Sequence, residues 1–464
     1  MYSQPGFSLA EVLAVAKIHP IYNSHVQYPP DAGTIEIART QVVGKTADVA
    51  SLEAQPLLFK KDLYGTIQRL IDDLSPENKF RRSIYTSVTG GGGGSKALFF
   101  ATDVHENRRQ RVEFGRLLNA VGIIKETDCV VTVHTSGGLY RALDLTLELL
   151  ENAGATALAA GHNLKEEEVI RLARVHHANV LSGDSSQIVQ LVHYMSTMKR
   201  EERDELFINK IIYTSETMTP GQRSYIYSVL GLVQICSFLG SAEAGPYAAS
   251  SPHLVEGGSQ STNQDFIFDT RQVLIEILPY EAANRTGFLP TPLPQGEKGV
   301  IAQTSLCRLR NPVIRYITGD VGSVHNLHEC AREHVSDQDW PHLRILRLRG
   351  RDARFSFEWD GEYVEFPQIT SLMTDAQYCV LQWQVILDKA NSAPNSTIEV
   401  PVLSSVGKTS AEKIESLEKD VKRLLHVDET NEERFRLLFV EDLSGFIRSE
   451  TGRKVIRFVD RFNQ

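Results

Sequence analysis

The chain has few cysteines, no excess of positive charge and no long apolar run, and each absence excludes a class of protein. Its 464 residues include five cysteines, which are far apart and never arranged as Cys-x-x-Cys. This usage argues against a disulfide framework and favours a reducing, intracellular setting. Lys and Arg number 49 against 58 Asp and Glu, which argues against a nucleic-acid or anionic-membrane surface. With neither a membrane-length run nor a signal peptide, the sequence predicts a cytoplasmic protein with no nucleic-acid and no membrane partner.

The order of helical and strand-like segments indicates the fold class. Hydrophobic residues make up 42% of the chain and charged residues 23%, the mixture of a globular protein. Between 107 and 200, helical stretches alternate with short strand-like segments, which favours parallel α/β layers. From about 351, a strand–helix–strand pattern fits a small α+β domain. We therefore predict an α/β protein with a large multi-layer N-terminal domain of mixed sheets and helices at 1–350 and a small α+β domain at 351–464.

A glycine tract, TSVTGGGGGSK at 86–96, is the most unusual local feature. Consecutive glycines expose backbone N–H groups and admit positive φ, so such a loop can wrap closely around an anion. The hydroxyls of Thr86, Ser87 and Thr89 would add donors, and Lys96 could add charge. A flexible linker is the alternative, although a linker rarely separates two apolar strand-like runs within one domain. The tract is not a Walker A loop, because GxxxxGK[ST] is absent, so we predict a phosphate-binding loop of another kind.

Two carboxylates follow apolar segments further along the chain. Glu243 lies on a loop of small residues after an apolar strand, a suitable position for a ligand to Mg²⁺, since Mg²⁺ bound to ATP needs few protein carboxylates. Asp320 ends a predicted strand at 311–320 and could accept hydrogen bonds from ribose hydroxyls. A plain loop is the alternative for each segment, and a buried structural ion pair is the alternative for Asp320 and Arg315.

These segments, in this order, resemble the adenylate-forming superfamily of acyl- and aryl-CoA synthetases, most closely its phenylacetate–coenzyme A ligase branch. The resemblance runs from HPIYNSH near the N-terminus to RSETGRKVIRFVD at the end. It implies activation of a small, aromatic or aryl-acetic carboxylic acid by ATP and Mg²⁺ to an acyl-adenylate, followed by transfer to coenzyme A. It also implies that the small C-terminal domain is mobile and rotates between the two steps. Members of the family often dimerise, so a homodimer is a further option.

The resemblance also implies roles for individual residues. On the nucleotide side it implies contacts to the ATP phosphates, the adenine and the ribose from Thr86, Ser87, Thr89, Gly90, Gly91, Gly92, Ser215, Glu216, Asp320, Arg315 and Arg351. On the acid side it implies a border formed by His134, Ser136, Gly137, Gly138 and Gly240. It further implies that Glu243 binds Mg²⁺, that Lys454 is the catalytic lysine and that Asp352 is the hinge between the domains.

The sequence departs from the family pattern at several of these positions. Val88 stands where the phosphate loop normally has glycine, Leu239 replaces an aromatic residue, and Ala242 replaces the hydroxyl before the glutamate. Arg453, and not Lys454, directly follows the glycine of the C-terminal motif. Two alternatives therefore stand beside the CoA ligase: adenylation with transfer to an amine or a carrier-protein thiol, and a nucleotide-binding protein without ligase activity.

Three candidate side chains have plainer alternatives. Lys454 could be a surface lysine, and His134 could cap the end of a strand. A cluster of His325, His328, Cys330 and His334 has the residue types of a Zn²⁺ site, but the histidines fit a plain loop or helix start equally well. Zn²⁺ is therefore not among the expected cofactors, which are ATP, Mg²⁺ and coenzyme A.

Overall fold

The computed structural model describes residues 6–45, 52–88, 99–215, 217–254, 264–283, 287, 289–351, 356–360, 362–389, 396–405, 411–449 and 453–461. Its helices are α1 (Leu9–Ala16), α2 (Ala32–Thr40), α3 (Lys60–Asp72), α4 (Val104–Ala120), α5 (Ala142–Asn152), α6 (Glu166–Val175), α7 (Ser185–Thr197), α8 (Arg200–Asp204), α9 (Pro220–Leu230), α10 (Phe366–Met373) and α11 (Ala411–Leu424). The strands up to the middle of the chain are β1 (Ile84–Val88), β2 (Phe99–Asp103), β3 (Cys129–Thr132), β4 (Ser136–Gly137), β5 (Tyr140–Arg141), β6 (Thr156–Ala159), β7 (Val180–Asp184), β8 (Lys210–Thr214), β9 (Gln234–Ser241), β10 (Gly245–Ser250) and β11 (Gln264–Asp269). The remaining strands are β12 (Val273–Leu278), β13 (Gly299–Ser305), β14 (Tyr316–Asn326), β15 (Leu343–Arg351), β16 (Ser356–Trp359), β17 (Glu362–Glu365), β18 (Val380–Trp383), β19 (Val385–Lys389), β20 (Ser396–Ser404), β21 (Phe435–Phe439) and β22 (Phe458–Asp460).

One mixed sheet of 11 strands organises the larger part of the chain, in the order β12-β13-β14-β15-β11-β10-β9-β8-β7-β3-β6. The five strands β6, β3, β7, β8 and β9 are parallel, and helices connect them along the chain. From β9 onward every neighbouring pair is antiparallel. The α/β fold class predicted from helix–strand alternation is therefore confirmed.

Helices cover both faces of the parallel strands because neighbouring residues of each strand are apolar. Val130 and Ile212 lie in one buried cluster, with side chains of α4 and α5 such as Phe114. Their chain neighbours Val131 and Ile211 lie in a second cluster, with side chains of α6, α7 and α9. Since successive side chains of a strand point to opposite faces, the two clusters lie on opposite sides of the sheet.

The C-terminal part of the chain has its own sheet and its own core. The main sheet ends with β15 at Arg351, and the order of the second sheet is β18-β20-β19-β22, with β21 paired to β20. Trp359, Val385 and Leu417 lie in a buried cluster whose members all belong to this part. The large and small domains predicted from the sequence are thus present in the fold.

The small domain contacts the first turns of α7 and α9 in the large domain. The Gln382 side-chain amide donates to Ser186 Oγ at 2.6 Å, and the Gln222 amide donates to the Leu381 carbonyl. The backbone N–H of Leu443 donates to the Gln190 side chain at 3.3 Å. These contacts place the small domain at the edge of the sheet where β7 ends and α7 begins.

The strand predicted at 311–320 begins later than expected. Residues 311–315 form an irregular segment, Arg315 has a φ of +47°, and the strand starts only at Tyr316. A positive φ is incompatible with a continuous strand, so the chain turns at Arg315 before it enters the sheet. Within the described residues, no helix combines the length and the apolar character needed to cross a membrane.

Candidate active site

Several candidate residues lie where parallel strands of the main sheet end. His134 follows β3, Ser215 follows β8, and Glu243 follows β9. Parallel strands have their carboxyl ends at the same edge of a sheet, and open α/β sheets bind ligands at that edge. The topology therefore gathers three segments that are up to 109 residues apart in the sequence (243 − 134).

His134 is a buried, neutral imidazole at this edge. Its Nδ1 lies 2.8 Å from Thr132 Oγ1 on β3, and its Nε2 lies 3.0 Å from Thr214 Oγ1 on β8. Burial lowers the pKa of His134 to about 3, and the charge of the nearby Lys454 ammonium acts in the same direction. The ring is therefore uncharged at neutral pH, and the two hydroxyls fix its orientation.

Lys454 belongs to a short hairpin of the small domain that faces this edge. Arg448 pairs with Val455 across the hairpin, and the Ser449 N–H donates to the Lys454 carbonyl at 2.8 Å. Val455 is fully buried in a cluster that includes Val189 of α7, so the hairpin is attached to the large domain. This attachment brings the small domain's lysine to the end of β3.

Arg453 and Lys454 act on different groups of the large domain. The charge of Lys454 acts on His134. The charges of Arg453 and Arg448 act on His162, whose pKa is lowered by burial first and by these two guanidinium groups second. Of these two cations, Lys454 is therefore the one whose charge acts on His134.

Glu243 lies at the tip of the β9–β10 hairpin, with its carboxylate turned inward. Its Oε1 accepts hydrogen bonds from the Tyr64 hydroxyl at 2.6 Å and the Tyr316 hydroxyl at 3.1 Å. Burial and the charge of Glu243 raise the pKa of both tyrosines, so both phenols stay protonated and act as donors. The Glu243 residue is 5% exposed, and two side chains from distant elements set the orientation of its carboxylate.

Two further buried side chains hold the backbone of this hairpin. The Gln110 side-chain amide of α4 donates to the Ala244 carbonyl at 2.7 Å. The Arg308 guanidinium donates to the Glu243 carbonyl and lies 3.4 Å from the Ala242 carbonyl. Burial lowers the pKa of Arg308 to about 10, which still leaves it charged at neutral pH. The turn that carries Glu243 is therefore fixed through its main chain as well as its carboxylate.

Gly240 is required by the close approach of the two hairpin strands. A Cβ at this position would lie 2.9 Å from the Gly245 carbonyl oxygen and 2.9 Å from Pro246 Cα. Leu239, one residue earlier, packs against a buried cluster around Phe266 and Tyr247. Leu239, which replaces the aromatic residue expected here, is therefore a partly buried core residue.

The strands that flank the glycine tract form an antiparallel hairpin. Thr86 pairs with Ala101 and Ser87 with Phe100 in a two-stranded sheet separate from the main one. The prediction that the tract joins two strand-like runs is confirmed by this pairing. Several predicted site residues lie outside the described residues: Thr89, Gly90, Gly91, Gly92, Glu216 and Asp352.

The predicted acid-side turn is an exposed hairpin beside His134. Ser136, Gly137 and Gly138 are exposed, and the two glycines have φ values of +112° and +53°. Glycine adopts such values without steric cost, so the sequence SGG permits this tight turn. The Ser136 N–H also lies 3.4 Å from His162 Nδ1.

Ser215 and Asp320 lie at two further points of the same region. Ser215 directly follows β8, has a φ of +80° and lies 3.3 Å from Thr214 through its hydroxyl. Asp320 is the pairing partner of Arg351 across β14 and β15. The charge of Asp320 contributes to the raised pKa of Tyr247 and of Tyr316. Asp320 and Arg351 are therefore neighbours across two strands of the main sheet.

Arg315 forms a buried ion pair, which was the alternative to nucleotide binding for this residue. It is fully buried, and its Nε and Nη2 contact the Glu276 carboxylate at 3.1 and 3.0 Å. It also donates to the backbone carbonyls of Glu53, Gln55 and Pro290. Since the guanidinium joins separate segments of the chain, these contacts favour a structural role over the predicted contact with nucleotide.

The histidines suggested as an alternative metal cluster have local contacts instead. His325 Nε2 lies 2.8 Å from Ser323 Oγ, and the rings of His334 and His253 are 6.4 Å apart. Among the described residues, no group of three or more His, Cys, Asp or Glu side chains is placed to hold a metal ion.

Sequence reasoning did not identify Tyr64, Gln110 and Arg308, and it did not assign Tyr316 a contact with Glu243. One signal for Tyr64 was available. Leu63, Ile67 and Leu70 form the buried face of α3, and Tyr64 lies three residues before Ile67 on the same side. Gln110 and Arg308 carry no comparable signal, because a polar residue in a sequence is usually exposed.

Comparison with known proteins places this geometry in a structural class. No protein-family model and no curated protein sequence matches the chain. Among solved structures, 2-hydroxyisobutyryl-CoA ligase in the postadenylation state, in complex with R3-HIB-AMP, has a TM-score of 0.63 at 17% identity and covers 97% of this chain and 87% of its own. The same ligase in the thioesterification state, with 2-HIB-AMP and CoA, has a TM-score of 0.53 at 17% identity and the same coverage. The chain therefore has the fold of adenylate-forming acyl-CoA ligases.

Proposed function

We propose that this protein activates a small carboxylic acid with ATP, forms an acyl-adenylate and transfers the acyl group to coenzyme A. The observation that supports this most directly is the position of Lys454, whose charge reaches His134 at the carboxyl edge of the sheet. Glu243 lies on a neighbouring strand end, held by Tyr64 and Tyr316. A cation and a carboxylate at one ligand-binding edge suit a reaction between an anionic acid and a polyphosphate.

In the first step, a carboxylate oxygen of the acid attacks the α-phosphorus of ATP. A new bond forms between that oxygen and phosphorus, and the bond to the bridging oxygen breaks, so that pyrophosphate leaves. Both reactants are anions, and catalysis of such a transfer depends on alignment and charge neutralisation. Lys454 supplies a positive charge for the oxygens of the reacting phosphoryl group. Neutral His134 borders the acid without adding charge of its own.

Glu243 suits a Mg²⁺ ion bound together with ATP. Mg²⁺ in nucleotide sites commonly takes one or two protein carboxylates, with phosphate oxygens and water as its other ligands. The two tyrosine hydrogen bonds fall on Oε1, so the donor set here is a single oriented carboxylate. When bound, the ion would neutralise phosphate charge.

Further residues extend the proposed ligand contacts. Thr86 and Ser87 enter the glycine tract from β1, and with Thr89 and Gly90 to Gly92 they would hold the phosphates. Asp320 and Arg351 would contact the ribose, and Ser215 with Glu216 the adenine. Ser136, Gly137, Gly138 and Gly240 would border the acid, for which aromatic and aryl-acetic acids are the first candidates, as in the phenylacetate branch.

In the second step, the thiol of coenzyme A attacks the carbonyl carbon of the adenylate. The carbon–sulfur bond forms, AMP leaves with the bonding electrons, and the thiol proton is released. We infer that the small domain rotates about Asp352 between the steps and moves Lys454 away. The higher TM-score to the postadenylation state, 0.63 against 0.53 for the thioesterification state of the same ligase, supports a domain arrangement of the first kind here.

Pyrophosphate release tests the proposal directly. Purified protein would be assayed with ATP and Mg²⁺ against aryl, aryl-acetic, fatty and amino acids, beside Glu243→Ala and Lys454→Ala. We expect turnover with one acid class and its loss in both variants, with Arg453→Ala as the matched control that keeps most of the activity. Adding coenzyme A should then yield a thioester. Pyrophosphate release without a thioester would point to an amine or carrier-protein acceptor, and ATP binding without turnover would refute the ligase.

A further inference from the structure

The guanidinium groups of two arginines lie over the ring of Tyr85, which is on β1 beside Thr86. The Arg111 guanidinium of α4 lies 4.4 Å from the ring centroid, and the Arg141 guanidinium of β5 lies 4.1 Å from it. Guanidinium groups at these distances from an aromatic ring are attracted by its negative face.

Two carboxylates of α5 fix these arginines. Arg111 Nη1 lies 2.8 Å from Glu148 and 3.5 Å from Asp144, and the Arg111 side chain is 1% exposed. Arg141 Nη2 lies 2.8 Å from the same Asp144 oxygen. One carboxylate thus joins both guanidinium groups, so the groups that contact the ring are themselves held in place. We call Tyr85, Arg111, Arg141, Asp144 and Glu148 the Tyr85 clamp.

The clamp matters because the hairpin is not part of the main sheet. Among the described residues, β1 and β2 form a two-stranded sheet of their own. β2 is anchored by buried Phe100 and Ala101 and by the Asn311 amide, which donates to the Ala101 carbonyl at 2.9 Å. On β1, Tyr85 has the pair of charged contacts that reach α4 and β5. This ring therefore links β1 to the acid-side hairpin β4–β5 through Arg141.

We propose that the Tyr85 clamp is a positioning device that sets β1, with Thr86 and Ser87, for binding the polyphosphate of ATP. Tyr85 acts through the hairpin and does not itself touch the nucleotide. Because Arg141 follows the turn at 136–138, the clamp also ties the phosphate side of the site to the acid side. This inference rests on the proposed function, since it takes Thr86 and Ser87 as contacts to the phosphates.

The test compares ATP with AMP, which lacks the β- and γ-phosphates. Calorimetry of wild type, Tyr85→Leu and Tyr85→Phe would give the dissociation constant of each nucleotide. Two cation–π contacts are lost in Tyr85→Leu and kept in Tyr85→Phe, so we expect ATP binding to weaken about tenfold in the first and less than threefold in the second. AMP binding should change less than twofold in both. A general loss of structure would weaken both nucleotides together.

Arg141→Met provides a second variant in case Tyr85→Leu fails to fold, because Arg141 is partly exposed. It loses one of the two cation–π contacts of Tyr85, together with the ion pair to Asp144. We expect an intermediate loss of ATP affinity, with AMP unchanged. Wild-type affinity for ATP in Tyr85→Leu or Arg141→Met would overturn the clamp alone. If wild type binds AMP and ATP equally, or neither, Thr86 and Ser87 do not contact phosphates, and the proposed function falls together with the clamp.

Discussion

Replacing Tyr64 with phenylalanine removes one hydroxyl from the Glu243 carboxylate and keeps the aromatic ring. The hydrogen bond it deletes is 2.6 Å long, shorter than the 3.1 Å bond from Tyr316 that remains. A hydrogen bond to a charged group contributes about 1.5–3 kcal/mol. Because one phenol still holds the carboxylate, we expect the lower part of this range to appear as weaker Mg²⁺ binding, a loss of about tenfold.

Calorimetric titration of ATP at a series of Mg²⁺ concentrations would measure this effect without turnover. The pKa of Tyr64 is raised by burial and by Glu243, so the hydroxyl stays protonated and the loss should be the same at pH 7 and pH 9. Tyr28→Phe is the matched control, because the Tyr28 hydroxyl donates to Asp73, at the end of the same helix, at 2.9 Å. Equal Mg²⁺ dependence in the two variants would refute the argument that the tyrosine pair orients Glu243.

We make three further predictions, on the role of Lys454, on the loss of stability below pH 7 and on the buried ion pair of Lys210 and Asp128. Lys454→Ala should reduce acid-dependent pyrophosphate release by about 100-fold or more, as loss of a transition-state electrostatic contact does, and Arg453→Ala by less than tenfold; a reversed order would assign the role to Arg453. Burial lowers the pKa of His19 to about 3 from 6.5. The unfolded chain therefore takes up a proton that the folded chain does not, and this residue should lower the free energy of unfolding by about 2 kcal/mol between pH 7 and pH 5. In His19→Gln, the free energy of unfolding measured by urea denaturation should change less with pH over this range. An unchanged pH dependence would contradict the burial argument. Lys210→Met leaves Asp128 buried without its ammonium partner and should lower the free energy of unfolding by about 3–5 kcal/mol. A double variant that also carries Asp128→Asn should regain much of this loss. Equal stability of the single and the double variant would refute the pairing.

The parallel half of the fold was predictable because its signals are local. Residues such as Val130, Val180 and Ile211 lie in short apolar runs between amphipathic helices, and each run is buried on both faces of the sheet. The helix–strand alternation that this produces can be read within about 30 residues at a time. The two-stranded arrangement around the glycine tract was predictable for the same reason.

The site was predictable where short motifs carry it and not where distant side chains complete it. Glu243 and His134 follow strands whose ends the topology brings together. Tyr64 reaches Glu243 from 179 residues away in the sequence, and no pattern local to either residue indicates this contact. Arg315 shows the converse case, since its motif suggested nucleotide binding, whereas its pairing with Glu276 depends on a strand that precedes it by 39 residues.

The effect of the Lys454 charge on His134 offers a way to observe the small domain. Burial and the Lys454 charge together keep the His134 ring unprotonated. If the small domain moves away, the Lys454 charge leaves, so the pKa of His134 rises. Nuclear magnetic resonance of this imidazole would then follow the domain's position through an acid titration, with the protein itself supplying the label.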